Sequence, residues 1–147
     1  MRLMALLFVG LLVSNSADET LEVGTIDQKE APTKRSLVAP KSAKGIETVG
    51  IRATIVGKTN KGEKRNVYVL VSPLSNPESN VWWVQGEISR DGDKFQCSCQ
   101  FGEENQGSGE YFAIVGLVTE NKLSVGEMLQ GLPEKMTYTK LKIIRRK

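Results

Sequence analysis

The sequence predicts an all-β chain, an antiparallel sandwich of about six short strands behind a targeting segment and a linker. Two observations predict the strands. From Glu47 onward apolar and polar residues alternate with a period of two, and clusters of Gly, Pro, Asn and Asp separate the alternating segments. A third observation, an uncharged apolar run at the start of the chain, sets the targeting segment apart from the domain.

Residues 1–16 match a secretory signal peptide. Met1-Arg2 is a short basic start, and Leu3 to Val13 is an eleven-residue apolar run without a charge. Ser14 and Ser16 fit the small-residue positions of a cleavage site, so we expect cleavage after Ser16 and a secreted or periplasmic protein. The run is shorter than the ~20 residues that span a bilayer, which makes retention as a membrane anchor the lesser alternative.

Residues 17–45 predict a disordered linker. They hold five acids, five bases, two prolines and no aromatic residue, and no apolar periodicity extends beyond a few positions. Such a segment buries too little apolar surface to offset the entropy lost on ordering. A short strand around Leu21 to Ile26 is the alternative. The folded domain is then expected over residues 46–147.

The strand pattern recurs along the whole domain. Tyr111 to Val118 is nearly continuous in apolar residues, as in a central strand. The shorter or alternating segments are Val49 to Ile55, Val67 to Val71, Val81 to Val84, Phe95 to Phe101 and Leu141 to Ile143. One short helical turn is expected within residues 124–132, because Ser124 and Glu127 have the spacing of a capping box.

Four motifs of the domain carry a family resemblance: Val67 to Pro73, Trp82-Trp83 with Gln85, the Asp91-Gly92 turn, and Gly109 to Thr119. Over residues 46–146 the chain resembles a poorly characterised extracytoplasmic bacterial domain with an immunoglobulin-like β-sandwich fold. It departs from that pattern at Val84, Cys97 and Cys99. The resemblance implies the fold and an extracytoplasmic setting, and it supplies no catalytic residue.

Trp82 and Trp83 are the most conspicuous candidate ligand-binding residues. Neighbours in a strand point to opposite faces, so one ring should enter the core and the other should face outward. An outward ring could stack on a sugar or on a peptide proline. The alternative is that the outer ring lies beneath the proline-containing loop over residues 72–79.

The basic C-terminal segment supplies the other candidates, Arg145, Arg146 and Lys147. Residues 135–147 hold six bases and no acid, whereas residues 78–134 hold ten acids and three bases. A basic segment of this kind suits an anionic partner such as a cell-surface polymer or lipid headgroups. A solvated edge strand guarded by lysines is the alternative. Nucleic acid is not expected, because only Tyr138 is interleaved with the bases.

Cys97 and Cys99 share a face with Phe95 and Phe101 and are expected to be buried structural thiols. Two strand residues separated by one other lie ~6.6 Å apart at Cα, so a local disulfide would be strained. An oxidising compartment nevertheless favours disulfides, which leaves a bridge as the alternative.

The chain contains no histidine, which excludes Ser-His-Asp and Cys-His hydrolases and His-ligated metals. Calcium bound by Asp91, Asp93 and the loop over residues 102–107 is a weak alternative without EF-hand spacing. We therefore expect no catalytic residue, no metal and no cofactor, and a non-enzymatic binding or structural module associated with the cell envelope or with carbohydrate. The alternatives are a thiol oxidoreductase using Cys97 and Cys99, an acid hydrolase using Glu103 and Glu104, and a subunit of an envelope assembly.

Overall fold

The computed structural model describes residues 19–33, 37–75, 80–133 and 136–147. These residues form eleven strands, without a helix, in two sheets that pack as a sandwich. The predicted signal peptide, residues 1–16, lies outside the described residues. Within the described segments, no helix is long and apolar enough to cross a membrane.

The sandwich consists of a narrow sheet and a wide sheet. The narrow sheet has the strand order β1 (Glu19–Thr25), β3 (Arg52–Lys58), β7 (Lys94–Gln100), β6 (Ile88–Asp91). The wide sheet has the order β2 (Glu47–Val49), β11 (Lys142–Arg146), β8 (Tyr111–Thr119), β4 (Asn66–Pro73), β5 (Val81–Val84), β9 (Met128–Gln130), and β10 (Thr137–Tyr138) also pairs with β8.

The main core lies between the two sheets and follows the alternation in the sequence. Phe95 shows how closely it is packed: its ring reaches 2.5 Å from where a Cβ on Gly57, its cross-strand partner, would lie. The same ring lies 3.2 Å from a Cβ built on Gly116 in the opposite sheet. Both glycines therefore leave the space that the ring fills. A larger side chain at Gly57 would displace Phe95 from the core.

A second apolar cluster covers the outer face of the wide sheet. It includes Trp82 and Leu117 from the strands, and Leu37 from the segment that crosses over them. All three side chains are buried. Residues of β8 consequently face apolar contacts on both sides, which explains the near-continuous apolar run that predicted a central strand.

The disordered-linker prediction for residues 17–45 does not hold for residues 19–26. Residues 19–25 form β1, and Leu21, Val23 and Ile26 are buried in the main core. The alternative, a short strand around Leu21 to Ile26, is what the structure contains. A few alternating apolar residues suffice here because the edge of β3 supplies hydrogen-bond partners and an apolar surface.

The sheets are mixed rather than wholly antiparallel. β1 pairs with β3 in parallel, and β2 pairs with β11 in parallel. Both parallel pairs lie at sheet edges and use strands from the first part of the chain, which reach their partners through long connections. Parallel neighbours require such connections, whereas a two-residue hairpin joins only antiparallel strands.

The predicted helical turn at residues 124–132 is not formed. Glu127 Oε1 does accept a hydrogen bond from the Ser124 N–H at 2.9 Å, the contact that the capping-box spacing predicts. It closes a β-turn instead, in which the Glu127 N–H donates to the Ser124 carbonyl and Gly126 has a φ of 86°. This left-handed conformation is incompatible with a helix and suits glycine in a type II turn. The chain then continues as β9.

Candidate functional site

The two adjacent tryptophans face opposite sides of β5. Trp82 is fully buried in the outer cluster, whereas Trp83 is 42 % exposed on the face directed toward the narrow sheet. Trp83 shares this face with Val71, its cross-strand partner on β4, which belongs to the main core, whereas Trp83 itself does not. The prediction that one ring is buried and the other exposed is correct, but the buried ring lies on the outer face of the wide sheet and the exposed ring on its inner face.

An open groove of about 790 Å³ lies beside Trp83. It forms where β6 ends: β6 pairs only with residues Lys94 to Cys97 of β7, so the last residues of β7 have no strand neighbour on that side. Residues from both sheets and from the loop after β7 line the groove. A volume of this size is typical of ligand-binding clefts, which span about 300–1,000 Å³.

Gln85 connects the two sheets across the floor of the groove. Its Oε1 accepts a hydrogen bond from the Gln100 N–H at 2.9 Å, and its Nε2 donates to the Trp83 carbonyl at 3.2 Å. The Gln85 N–H is itself bound to the Val69 carbonyl at 2.9 Å. The side chain therefore satisfies the free edge of β7 and ties the backbone of Trp83 to it.

The loop that follows β7 forms the opposite wall, and Arg146 organises it from below. The Arg146 guanidinium donates to the carbonyl of Phe101 at 3.1 Å and to the carbonyls of Glu103 and Gln106. Gly102 and Gly107 make room for it, because a Cβ on either would lie within 3.0 Å of the guanidinium nitrogen. The loop is thus wrapped around a buried cation.

Five polar side chains at the groove remain available to a ligand. They are Arg52, Ser98, Glu103, Gln106 and Glu110, which line the groove without a side-chain hydrogen bond or ion pair to the described residues. Beside them, Val125 is 60 % exposed and Met128, the cross-strand partner of Trp83, is 47 % exposed. The site combines an aromatic surface, an apolar margin and polar groups of both charges.

The basic C-terminal segment does not form a free cationic patch. Arg146 is 6 % exposed, and its guanidinium is bound to main-chain carbonyls rather than presented at the surface. Arg145 is half-buried and donates from Nε to the Gly109 carbonyl at 3.2 Å. Lys147 is exposed, with its Nζ 3.4 Å from a carboxylate oxygen of Glu19. Because β11 is a strand of the wide sheet, every second side chain points into the fold, and Ile144 and Arg146 are therefore buried.

Cys97 and Cys99 are free and buried in the main core. The Cys99 S–H donates to the sulfur of Cys97 at 3.8 Å, and Cys97 donates to the Gly86 carbonyl at 3.4 Å. The hydrogen bond to Cys97, together with burial, raises the pKa of the Cys99 thiol far above its ordinary value. Such a thiol stays protonated and is a poor nucleophile.

The acids considered for calcium are not brought together. Asp91 and Asp93 lie at the turn between β6 and β7, and the loop over residues 102–107 follows the other end of β7. A strand of this length places the two groups about 20 Å apart, at ~3.3 Å per residue. Among the described residues, no group of three or more His, Cys, Asp or Glu side chains could hold a metal ion.

No protein-family profile, curated protein or solved structure matches the chain. The candidate site is therefore defined by its geometry alone. Of its residues, Trp83 is predictable from the sequence. Gln85 belongs to the same motif, as the first polar residue after the aromatic pair and Val84. Arg52 and Glu110 carried no sequence signal, because only the folded chain brings them to one groove.

Proposed function

We propose that this chain is an exported, non-enzymatic binding module that holds an envelope component in the groove beside Trp83. The observation that carries the proposal is the 42 % exposure of Trp83 at the margin of a groove of about 790 Å³. Large aromatic side chains are commonly buried in monomers, and they are enriched where a partner covers them. The adjacent exposed side chains of Val125 and Met128 extend the surface that a ligand would cover.

Export and the immunoglobulin-like description of the sandwich are parts of the same proposal. The apolar run of residues 3–13 supports export. If cleavage follows Ser16, two residues, Ala17 and Asp18, precede β1 in the mature chain, so processing would leave the edge strand complete. Two packed β-sheets support the sandwich description, and the parallel pairing at two edges distinguishes this chain from a wholly antiparallel sandwich.

The thiol oxidoreductase alternative receives no support from the environment of the cysteines. A reactive cysteine needs exposure and a lowered pKa, whereas both thiols are about 2 % exposed and the pKa of Cys99 is raised. The acid hydrolase alternative lacks a buried pair of carboxylates, because Glu103 and Glu104 are both exposed.

A retention assay tests the proposal. The exported protein, Trp83→Ala and Val38→Ala are incubated with insoluble envelope material of the source cells, and the bound fraction is measured. Val38 is a matched control, because it is an apolar residue exposed by 57 % outside the groove. We expect retention of the unchanged protein and of Val38→Ala, and loss for Trp83→Ala. Equal retention of all three proteins, or retention of none, would contradict the proposal.

A further inference from the structure

The groove presents unpaired groups of both charges within one site. Glu103 and Glu110 supply carboxylates, and Arg52 supplies a guanidinium, without an ion pair to any described residue. The guanidinium of Arg146 lies beneath the loop, where main-chain carbonyls already accept its hydrogen bonds. A ligand that enters the groove therefore meets carboxylate acceptors on Glu103 and Glu110 and a guanidinium donor on Arg52.

This mixture restricts the class of ligand. A strongly anionic ligand would face Glu103 and Glu110, and a strongly cationic ligand would face Arg52, so each would meet a like charge within the same groove. A hydroxyl group donates to a carboxylate, accepts from a guanidinium or an amide, and does either with another hydroxyl group, so it can use all five polar side chains. An uncharged ligand that carries many hydroxyl groups therefore fits this wall of the groove best.

Trp83 supplies the complementary apolar surface. A pyranose with equatorial hydroxyl groups exposes axial C–H bonds on its two faces, and such a face can lie flat on an aromatic ring. Its hydroxyl groups then project sideways, toward groups arranged around the ring. Aromatic and apolar surface combined with a few polar groups is the usual composition of a small-ligand site. The groove has this composition, with Trp83 and Val125 beside Gln106 and Glu110.

We infer that the ligand of the groove is an uncharged glycan, with one pyranose ring stacked on Trp83 and hydroxyl groups along the glycan bound by the polar side chains that line the groove, Arg52, Ser98, Glu103, Gln106 and Glu110. This inference rests on the proposed function, since it names the ligand class of the same site. It differs from the binding of an anionic polymer by the C-terminal bases, because neither Arg146 nor Lys147 lines the groove.

Isothermal titration with defined hexasaccharides tests the ligand class. The uncharged probes are cellohexaose, maltohexaose and the hexamer of N-acetylglucosamine; the charged probes are the glucosamine hexamer and hexagalacturonate. We expect at least one uncharged probe to bind, with an affinity that changes less than about twofold between 0.05 and 0.5 M NaCl, because screening acts on charged pairs. Trp83→Ala should weaken that binding about tenfold or more, as expected when a stacking surface is removed. Val38→Ala should leave it unchanged.

The outcomes separate this inference from the proposed function. Binding of charged probes alone, with an affinity that falls as salt rises, would overturn the glycan class while envelope retention through Trp83 still stood. Envelope retention that depends on Trp83, with no hexasaccharide bound, would point to a protein partner and would also overturn the inference. Binding of an uncharged probe that is unaffected by Trp83→Ala would place the glycan site elsewhere.

Discussion

Gln85 and Gln100 join the two sheets at the groove: Oε1 of Gln85 accepts a hydrogen bond from the main-chain N–H of Gln100 at 2.9 Å. The bond satisfies a donor at the end of β7 that has no strand partner, since β6 reaches only as far as Cys97. Because Nε2 of the same side chain binds the Trp83 carbonyl, the position of the exposed ring depends on the packing of the sheets.

Replacing Gln85 separates these two contacts. Gln85→Ala removes both and should destabilise the fold by about 1 kcal/mol, the usual net contribution of a hydrogen bond. Gln85→Glu keeps an oxygen acceptor for the Gln100 N–H and replaces the donor to the Trp83 carbonyl with a second oxygen, which the carbonyl repels. We expect the glutamate variant to be the more stable of the two in urea denaturation. Equal stability of the variants would show that the bond to Gln100 contributes no more than this repulsion costs.

Arg146 should be a stability residue rather than a binding residue. Arg146→Lys replaces a planar fork of donors with a single ammonium group and leaves loop carbonyls unpaired, so we expect a loss of about 2–4 kcal/mol. Arg145→Lys is the matched control and should change stability by less than about 1 kcal/mol, because Arg145 is half-buried and makes one described bond. Urea denaturation of both variants provides the comparison. Similar small losses would contradict the role of Arg146 in holding the loop.

β1 should be an integral part of the fold. Leu21→Ala removes a buried side chain from the main core and should lower the unfolding free energy by about 2–4 kcal/mol. Glu22→Ala lies next to it on the exposed face of the same strand and should have an effect within about 0.5 kcal/mol. Thermal unfolding of the two variants tests this. A loss no larger for Leu21→Ala than for Glu22→Ala would restore the disordered linker.

The inner faces of the strands could be predicted from the sequence, and the edges and loops could not. Alternation identified Phe95, Cys97, Cys99 and Phe101 as one face because burial between sheets requires a period of two. β1 is only the alternative interpretation of residues 17–45 because charged neighbours dominate the composition of the segment, although Leu21 and Val23 alternate with polar residues. Composition averaged over a segment conceals a short edge strand.

The outcome for Arg146 has a different cause. Six bases in thirteen residues indicate a cationic surface when only the sequence is considered. The carbonyls that bind Arg146 come from a loop about 40 residues earlier, with separations of 40 to 45 positions. No local pattern predicts such a contact. For Ser124 and Glu127 the local pattern does predict the contact, the hydrogen bond from the Ser124 N–H to the Glu127 carboxylate. That bond forms in a β-turn rather than at the start of a helix.

The thiols of Cys97 and Cys99 should be inaccessible in the folded protein. We expect almost no reaction with a thiol reagent in the native state and two thiols per chain in guanidinium. Because the pKa of the Cys99 thiol is raised, its thiolate fraction stays low, and raising the pH to 9 should leave Cys99 unreactive in the native protein. Zero thiols in both states would reveal a disulfide, and rapid native reaction would support the oxidoreductase alternative.

The central claim is that a ligand covers Trp83 in the groove, and the indole N–H resonances test it most directly. The chain has two tryptophans, so a ¹H–¹⁵N spectrum contains two indole signals, which Trp83→Phe assigns. On titration with the uncharged hexasaccharides, the account predicts a saturable shift of the Trp83 signal, while the signal of the buried Trp82 changes little. A Trp83 signal that stays unmoved at saturating ligand would contradict the account.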